Sequence, residues 1–208
     1  MAKRKKGLLI VVSGPSGAGK GTVLAHAIAN YPNLQYSVSV TTRAPRPGEK
    51  DGINYYFVNQ EEFKTMLHNN ELLEFQPVYG NFYGTPKKKV LEKLEQGFDV
   101  VLEIDVKGAL EIKNKFPQAV MIFLTPANKS TIEERLRGRS TESEEQLKVR
   151  ISSAIDELKQ AVFYDYIVVN EDAEMGAQDI ISIIRAQKCS VENNKKFIDN
   201  LIYGGNNL

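Results

Sequence analysis

Leu8-Leu9-Ile10-Val11-Val12, followed by Ser13-Gly14-Pro15-Ser16-Gly17-Ala18-Gly19-Lys20-Gly21-Thr22, is the stretch on which the fold turns. Five consecutive apolar residues suit a strand buried on both faces, as in a parallel sheet. Gly14, Gly17 and Gly19 let the backbone bend tightly, and a helical pattern then runs from about Lys20 to Asn30. A glycine-rich turn between strand and helix presents backbone N–H groups and a helix N-terminus to an anion. Lys20 adds a positive charge at the end of the turn, which a simple connector does not need. The run therefore reads as a phosphate loop. It departs from the strict spacing at one place: Gly21 follows the lysine, and the hydroxyl comes one residue later at Thr22. Whether Thr22 meets Mg²⁺ or an α-phosphate stays open on this reading.

Outward from the loop, strand and helix signals alternate. Val100 to Ile104, Val120 to Leu124 and Tyr166 to Val169 read as further strands. Helices are expected up to Lys115, over Thr131 to Arg137, over Glu142 to Gln160 with Thr141 and Glu144 as a capping box, and over Met175 to Lys188. Thr85-Pro86 reads as a cap and first-turn proline for a helix through Gln96, closed by Gly97. Repeated β-α crossovers imply a parallel sheet with helices on both faces. Residues 37–88 break this rhythm with short β-prone runs and one clear helix, Gln60 to Asn69, capped by Asn59. The expected class is α/β: a P-loop NTPase-type core (residues 1–36 and 89–208), an inserted mixed α/β lobe of mostly antiparallel pairing (37–88) and a short helical lid at about 135–150. A C-terminal helix and tail (175–208) complete the core, and residues 204–208 are expected to fray.

Composition narrows the function. The 208 residues carry 27 Lys and Arg against 26 Asp and Glu, a net charge of +1, which argues against a dedicated nucleic-acid binder. The basic run Lys3 to Lys6 reads as a solvated tail. One cysteine, Cys189, permits no internal disulfide and suits a reducing cytoplasm. No segment approaches the ~20 apolar residues of a membrane helix, so no membrane partner is expected.

Six of the eight arginines fall in two short segments, Arg43 with Arg46, and Arg135, Arg137, Arg139 with Arg150. Arginine suits bidentate phosphate binding. Arg43 and Arg46 sit among Pro45 and Pro47, in a loop too stiff for a helix interior. Arg135 and Arg150 could instead pair with glutamates along their helices. Two phosphate-gripping segments and a phosphate loop suit transfer of a phosphoryl group between two anionic substrates, a reaction that needs positioned charge more than a general base. His26 and His68, both in helical surroundings, give little support to a histidine mechanism.

Longer motifs sharpen this. Ser39-Val40-Thr41-Thr42-Arg43-Ala44-Pro45-Arg46-Pro47-Gly48-Glu49 and Asp51-Gly52-Ile53-Asn54-Tyr55 resemble the guanylate kinase signature. So, in order, do Glu71-Leu72-Leu73-Glu74, Gly80-Asn81-Phe82-Tyr83-Gly84-Thr85, Leu102-Glu103-Ile104-Asp105-Val106-Lys107-Gly108 and Arg135-Leu136-Arg137-Gly138-Arg139. The resemblance covers about residues 7 to 188. The displaced hydroxyl at Thr22 is similar to that of many nucleoside monophosphate kinases.

The resemblance implies phosphorylation of GMP, and of dGMP, by ATP with Mg²⁺. It implies ATP binding at Ser13 to Thr22 and at Asn170, with Lys20, Arg135, Arg139 and Arg150 in the transfer. Arg43, Arg46, Tyr55 and Tyr83 would hold the GMP phosphate, and Glu49 would belong to the same GMP-binding set. Ser39, Glu74, Thr85 and Asp105 would read guanine. Thr22 and Glu103 would organise Mg²⁺, the latter through water. The base chemistry stands by itself, since guanine offers N1–H and N2–H₂ as adjacent donors and a carboxylate only accepts. Glu74 and Asp105 could also be ordinary strand-end charges. Three other readings are weaker. A non-catalytic binding module would lack the loop lysine, an AMP kinase would lack the base-pocket carboxylates, and a GTP-hydrolysing switch needs an acid that Asn128-Lys129-Ser130-Thr131 does not supply. Oligomeric state is not legible.

Overall fold

The structure is a computed structural model that describes residues 6–78, 80–137 and 144–204. Its centre is a five-stranded parallel sheet. The strands are β1 (Leu9–Ser13), β2 (Leu34–Tyr36), β7 (Asp99–Glu103), β8 (Val120–Thr125) and β9 (Tyr166–Val169), in the order β2-β7-β1-β8-β9. Alternation along β1 sorts its side chains onto two faces. Ile10 and Val12 pack with α1 (Lys20–Asn30) and α7 (Ala173–Cys189). Leu9 and Val11 pack with α3 (Lys87–Glu95) and α4 (Val106–Lys115). All five β1 side chains are buried, and each buried aliphatic contributes roughly 1.5–3 kcal/mol. This double cover explains the unbroken apolar run.

Between β2 and α3 the chain builds a second sheet from β3 (Val40–Thr41), β4 (Tyr56–Phe57), β5 (Leu72–Val78) and β6 (Asn81–Pro86), in the order β4-β3-β6-β5. The pairings β3–β6 and β5–β6 are antiparallel, and β3–β4 is parallel. Helix α2 (Gln60–His68) covers it through Phe63 and opens on a full capping box between Asn59 and Glu62. Thr85-Pro86 corrects one expectation. Both belong to β6, Pro86 pairs with Leu72, and α3 starts only at Lys87. Proline's φ suits the end of a strand as well as a first helical turn, so local composition cannot place this boundary.

Two helices follow β8, α5 (Lys129–Arg137) and α6 (Glu144–Lys159), the latter running into a 3₁₀ turn at Gln160–Phe163. Ile132, Leu136 and Ala154 form the small core between them. Thr141, half of the expected capping box, lies outside the described residues, as do residues 205–208. The tail after Cys189 forms another helix, α8 (Val191–Tyr203).

The lower edge of the core holds a buried charge. Asp99 is fully buried; it accepts the Leu8 N–H at 2.9 Å and the Asn33 amide at 3.0 Å, and pairs with the Lys188 ammonium at 2.6 Å. Burial works against the Lys188 ammonium, but the hydrogen bonds and charges of Asp99 and Tyr31 together outweigh it and hold the pKa above the ordinary value. This contact ties α7 to β7 across 89 residues of sequence.

Candidate active site

The phosphate loop fills the step from β1 to α1 as expected. Gly19 takes φ 87°, and a Cβ there would lie 2.4 Å from the Asn170 amide nitrogen, so the position excludes any side chain. That amide donates to Ala18 O at 2.7 Å from a buried position, so Asn170 braces the loop from beneath. Ser13 is fully buried, and its hydroxyl has no hydrogen-bond partner among the described residues. The Lys20 ammonium donates to Gly14 O at 2.7 Å and Pro15 O at 3.3 Å.

Two arginines, one on α5 and one on α6, meet the loop. Arg135 on α5 donates to Gly17 O and Ala18 O at 3.3 and 3.2 Å. Arg150 on α6 donates to the Ser16 hydroxyl at 2.9 Å. Arg139 lies outside the described residues. Glu157, two turns beyond Arg150, was not foreseen. Burial raises its pKa, opposed by the Lys20 charge and the Ser16 backbone N–H. A cleft of about 250 Å³ opens here, lined by Ser16 to Thr22 and by Glu103.

Glu103 closes that cleft from the end of β7. Its two oxygens lie 3.8 and 3.9 Å from where a Gly21 side chain would start, which is ordinary contact distance. The Tyr36 hydroxyl donates to Glu103 Oε2 at 3.2 Å. Burial, and then Glu103, push the Tyr36 phenol well above its usual pKa, so it remains a donor. Tyr36 is a second residue that the sequence reading missed.

The second sheet gathers a different set. Arg43 donates through Nη2 to both Glu49 oxygens at 2.9 and 3.0 Å, and Glu49 also accepts the Arg46 N–H at 2.7 Å. The bond to Arg43 holds the Glu49 carboxyl below its usual pKa. The Arg43 guanidinium lies 5.4 Å from the centre of the Tyr55 ring, and Tyr55 meets Tyr83 edge-on at 5.8 Å. Burial raises the Tyr55 pKa. Arg43, Tyr55 and Tyr83 therefore form one cluster, with Glu49 on the outer side of Arg43.

Glu74 on β5 is 4% exposed and accepts the Thr85 hydroxyl at 2.5 Å. Burial drives its pKa up to about 7, against the Thr85 bond and with help from the Asp105 charge. Asp105 caps α4, accepting the Gly108 N–H through Oδ1 at 2.8 Å. A Cβ on Gly108 would lie 2.6 Å from Glu74 Oε2 and 3.6 Å from Asp105 Oδ1. Glycine at 108 thus lets two carboxylates, one from β5 and one from the cap that follows β7, converge at one helix N-terminus. Ser39 lies just before β3, where its carbonyl accepts the Tyr56 N–H.

A parallel sheet with a phosphate loop, a helical lid whose arginines reach that loop and an inserted lobe that faces it with arginine, tyrosine and carboxylate groups define a P-loop nucleotide kinase. A sequence model of the guanylate kinase family matches residues 6–187. The chain is 49% identical over 195 residues to the guanylate kinase of Caldanaerobacter subterraneus subsp. tengcongensis, covering 94% of this chain and 95% of that one. It is 48% identical over 183 residues to that of Carboxydothermus hydrogenoformans, covering 88% and 90%. The crystal structure of guanylate kinase from Anaplasma phagocytophilum superposes with a TM-score of 0.73 at 35% identity, over 90% of this chain and 89% of that one. The chain belongs to the guanylate kinase family. No helix among the described residues is long and apolar enough to cross a membrane.

Proposed function

We propose that the chain transfers the γ-phosphoryl group of ATP to GMP or dGMP, giving ADP and GDP or dGDP. The observation that carries this reading is the convergence of Glu74 and Asp105 at Gly108. Guanine N1–H and N2–H₂ donate side by side, and two carboxylates accept them; adenine has an acceptor at N1 and no 2-amino group. Thr85 and Ser39 complete the base pocket. Glu74 must give up its proton to accept, and the guanine donors draw it into the charged form.

The acceptor phosphate would be held by Arg43, Arg46, Tyr55 and Tyr83. Arg43 already has a carboxylate at its fork, and the phosphate takes over as its partner when GMP binds. On the donor side, loop N–H groups and Lys20 hold the ATP phosphates. Arg135, Arg150 and Arg139 neutralise charge on the group in transit. Residues 37–88 form the acceptor unit and about 135–150 the lid. Closing both over the cleft excludes water, so the GMP phosphate is the attacking group.

Mg²⁺ fits the residues present. It binds through one or two carboxylates together with substrate phosphates and keeps several waters. The Thr22 hydroxyl and the Glu103 carboxylate in the loop cleft supply that sparse donor set, and Tyr36 holds Glu103 in place. The ion supplies charge neutralisation to the β- and γ-phosphates. Glu74→Gln tests the assignment: the GMP-over-AMP ratio of kcat/KM should fall by ~10²-fold or more, because an amide can turn its donor toward adenine N1. An unchanged ratio in the folded variant would remove Glu74 from base recognition.

A further inference from the structure

A second cavity, of about 280 Å³, lies where the two sheets join and shares no lining residue with the loop cleft. The chain leaves the parallel sheet after Tyr36 and returns to it from Pro86 through α3, and both crossings border the cavity. Alternation along the strands decides which side it faces. The Tyr36 side chain reaches Glu103 in the loop cleft, whereas Gln35 and Ser37 on either side of it line the cavity. Tyr55 meets Arg43 and Tyr83, whereas Tyr56 lines the cavity. The cavity therefore opens on the face opposite the proposed nucleotide sites.

Lys89 and Lys93 stand one turn apart on the same face of α3, and both line this cavity. The Lys89 ammonium sits 3.6 Å from the centre of the Tyr56 ring, and the Lys93 ammonium donates to Tyr36 O at 3.1 Å. Among the described residues neither has a carboxylate within ion-pair distance. Glu92, on the cavity wall, has its ammonium neighbour in Lys88, at 3.9 Å. Burial lowers the Lys93 pKa, and the Lys89 charge pushes the same way, with Tyr56 opposing them. Two cations thus face one cavity at each other's expense, and an anion between them would remove that cost. Ser37 adds a donor. It is 7% exposed, and its hydroxyl makes no hydrogen bond to any described residue.

We propose that this cavity binds a phosphate dianion, held by the Lys89 and Lys93 ammonium groups and the Ser37 hydroxyl. Two like charges and a hydroxyl donor match a group with two negative charges and several acceptor oxygens. Drug-sized ligands fill roughly 300–1,000 Å³, so the volume suits an inorganic phosphate or a small phosphorylated molecule more than a nucleotide. Tyr56 belongs to the second sheet and α3 packs on the first, so the occupant bridges the two. The site shares no residue with those assigned to the reaction above and does not depend on that reaction.

Amide NMR of the isotope-labelled full chain, titrated with inorganic phosphate at ionic strength held constant with sodium chloride, tests this. The Ser37 and Lys93 signals should move along a saturable curve with a Kd of about 1 mM. They should do so independently of Gly17 and Gly19, which report anion binding at the phosphate loop. Lys89→Gln with Lys93→Gln should weaken the response at Ser37 by ~10-fold or more, while the loop signals still respond and so show an intact fold. Lys89→Gln alone, at an exposed position, should weaken it severalfold and serves if the double variant does not fold. Pyrophosphate and ribose 5-phosphate, titrated in parallel, distinguish a free anion from a phosphorylated metabolite by which binds more tightly. No saturable movement at Ser37 and Lys93 with any of the three overturns the proposal. So does a response at Ser37 that survives the substitutions undiminished.

Discussion

The two sides of the cleft hold their cations in different ways. On the donor side, the contacts described for Lys20, Arg135 and Arg150 include the backbone carbonyls of Gly14, Gly17 and Ala18 and the hydroxyl of Ser16. On the acceptor side, Arg43 is gripped by both oxygens of Glu49, and a buried carboxyl, Glu74, takes up a proton near neutral pH. Neutral dipoles are easily out-competed by a triphosphate, whereas a carboxylate–guanidinium pair must be exchanged and a carboxyl must ionise. The donor side is therefore assembled before its ligand arrives. The acceptor side pays a reorganisation cost that only a ligand with the right donors repays. On the function we propose, selectivity accordingly resides in the second sheet and rate in the loop and the helices beside it.

The largest effect that would break this contrast belongs to Lys20. Lys20→Ala should lower kcat by ~10³-fold while the protein stays folded, because the lost charge is aimed at the transferring group. Near-wild-type turnover would make the loop a mere connector. Arg150→Ala should lower kcat by ~10²-fold and leave GMP affinity, measured calorimetrically without ATP, almost unchanged. A variant with full kcat would give α6 a purely structural role.

On the acceptor side the expected signature is a pH dependence. Glu74 has its folded pKa raised to about 7. The protonated form therefore dominates in the free protein below that value, and guanine needs the ionised form. GMP affinity should rise roughly tenfold between pH 6 and pH 8, with a proton released on binding. The GMP phosphate, with a second pKa of about 6, adds a smaller change of the same sign. Glu74→Gln should leave only that residue of the slope. The same shift sets a sign for stability. A carboxyl raised by folding stabilises fully below its unfolded pKa and loses that contribution as pH rises through about 7. The ligand-free wild type should lose stability relative to Glu74→Gln over that window in denaturant titrations. A pH-independent difference would mean that Glu74 is ionised throughout.

The smallest effect concerns Tyr36. Tyr36→Phe removes one hydrogen bond to Glu103 and keeps the ring. It should weaken Mg²⁺-dependent ATP binding severalfold, since only part of the ~1.5–3 kcal/mol of a bond to a charged group is lost at the ion, and leave GMP affinity alone. Calorimetry with and without Mg²⁺ separates this from a general loss of packing.

How far these features could be read from the sequence depended on the distance over which each is determined. The phosphate loop, the double-faced β1 and the Asn59 cap of α2 are local patterns and were legible. Six arginines in two segments marked the two regions that we propose grip phosphate. Tyr36 and Glu103 are joined only by the pairing of β2 with β7, which brings Tyr36 beside Val101, and no local signal announces that. Glu157 is one acid on a charged helix, and only the docking of α6 on the loop distinguishes it. The link between Asp99 and Lys188 spans 89 residues of sequence. Helix α8 is the reverse case, since its apolar spacing from Val191 to Ile202 was visible and went unread.

Base selectivity is the central claim, and a coupled assay of ADP release tests it most directly. At saturating ATP, the wild-type chain should turn over GMP and dGMP and reject AMP, CMP and UMP by ~10⁴-fold in kcat/KM, as a site built on hydrogen bonds to its substrate does. AMP turnover within about tenfold of GMP would contradict the account, because carboxylates that select guanine cannot leave adenine so close a competitor.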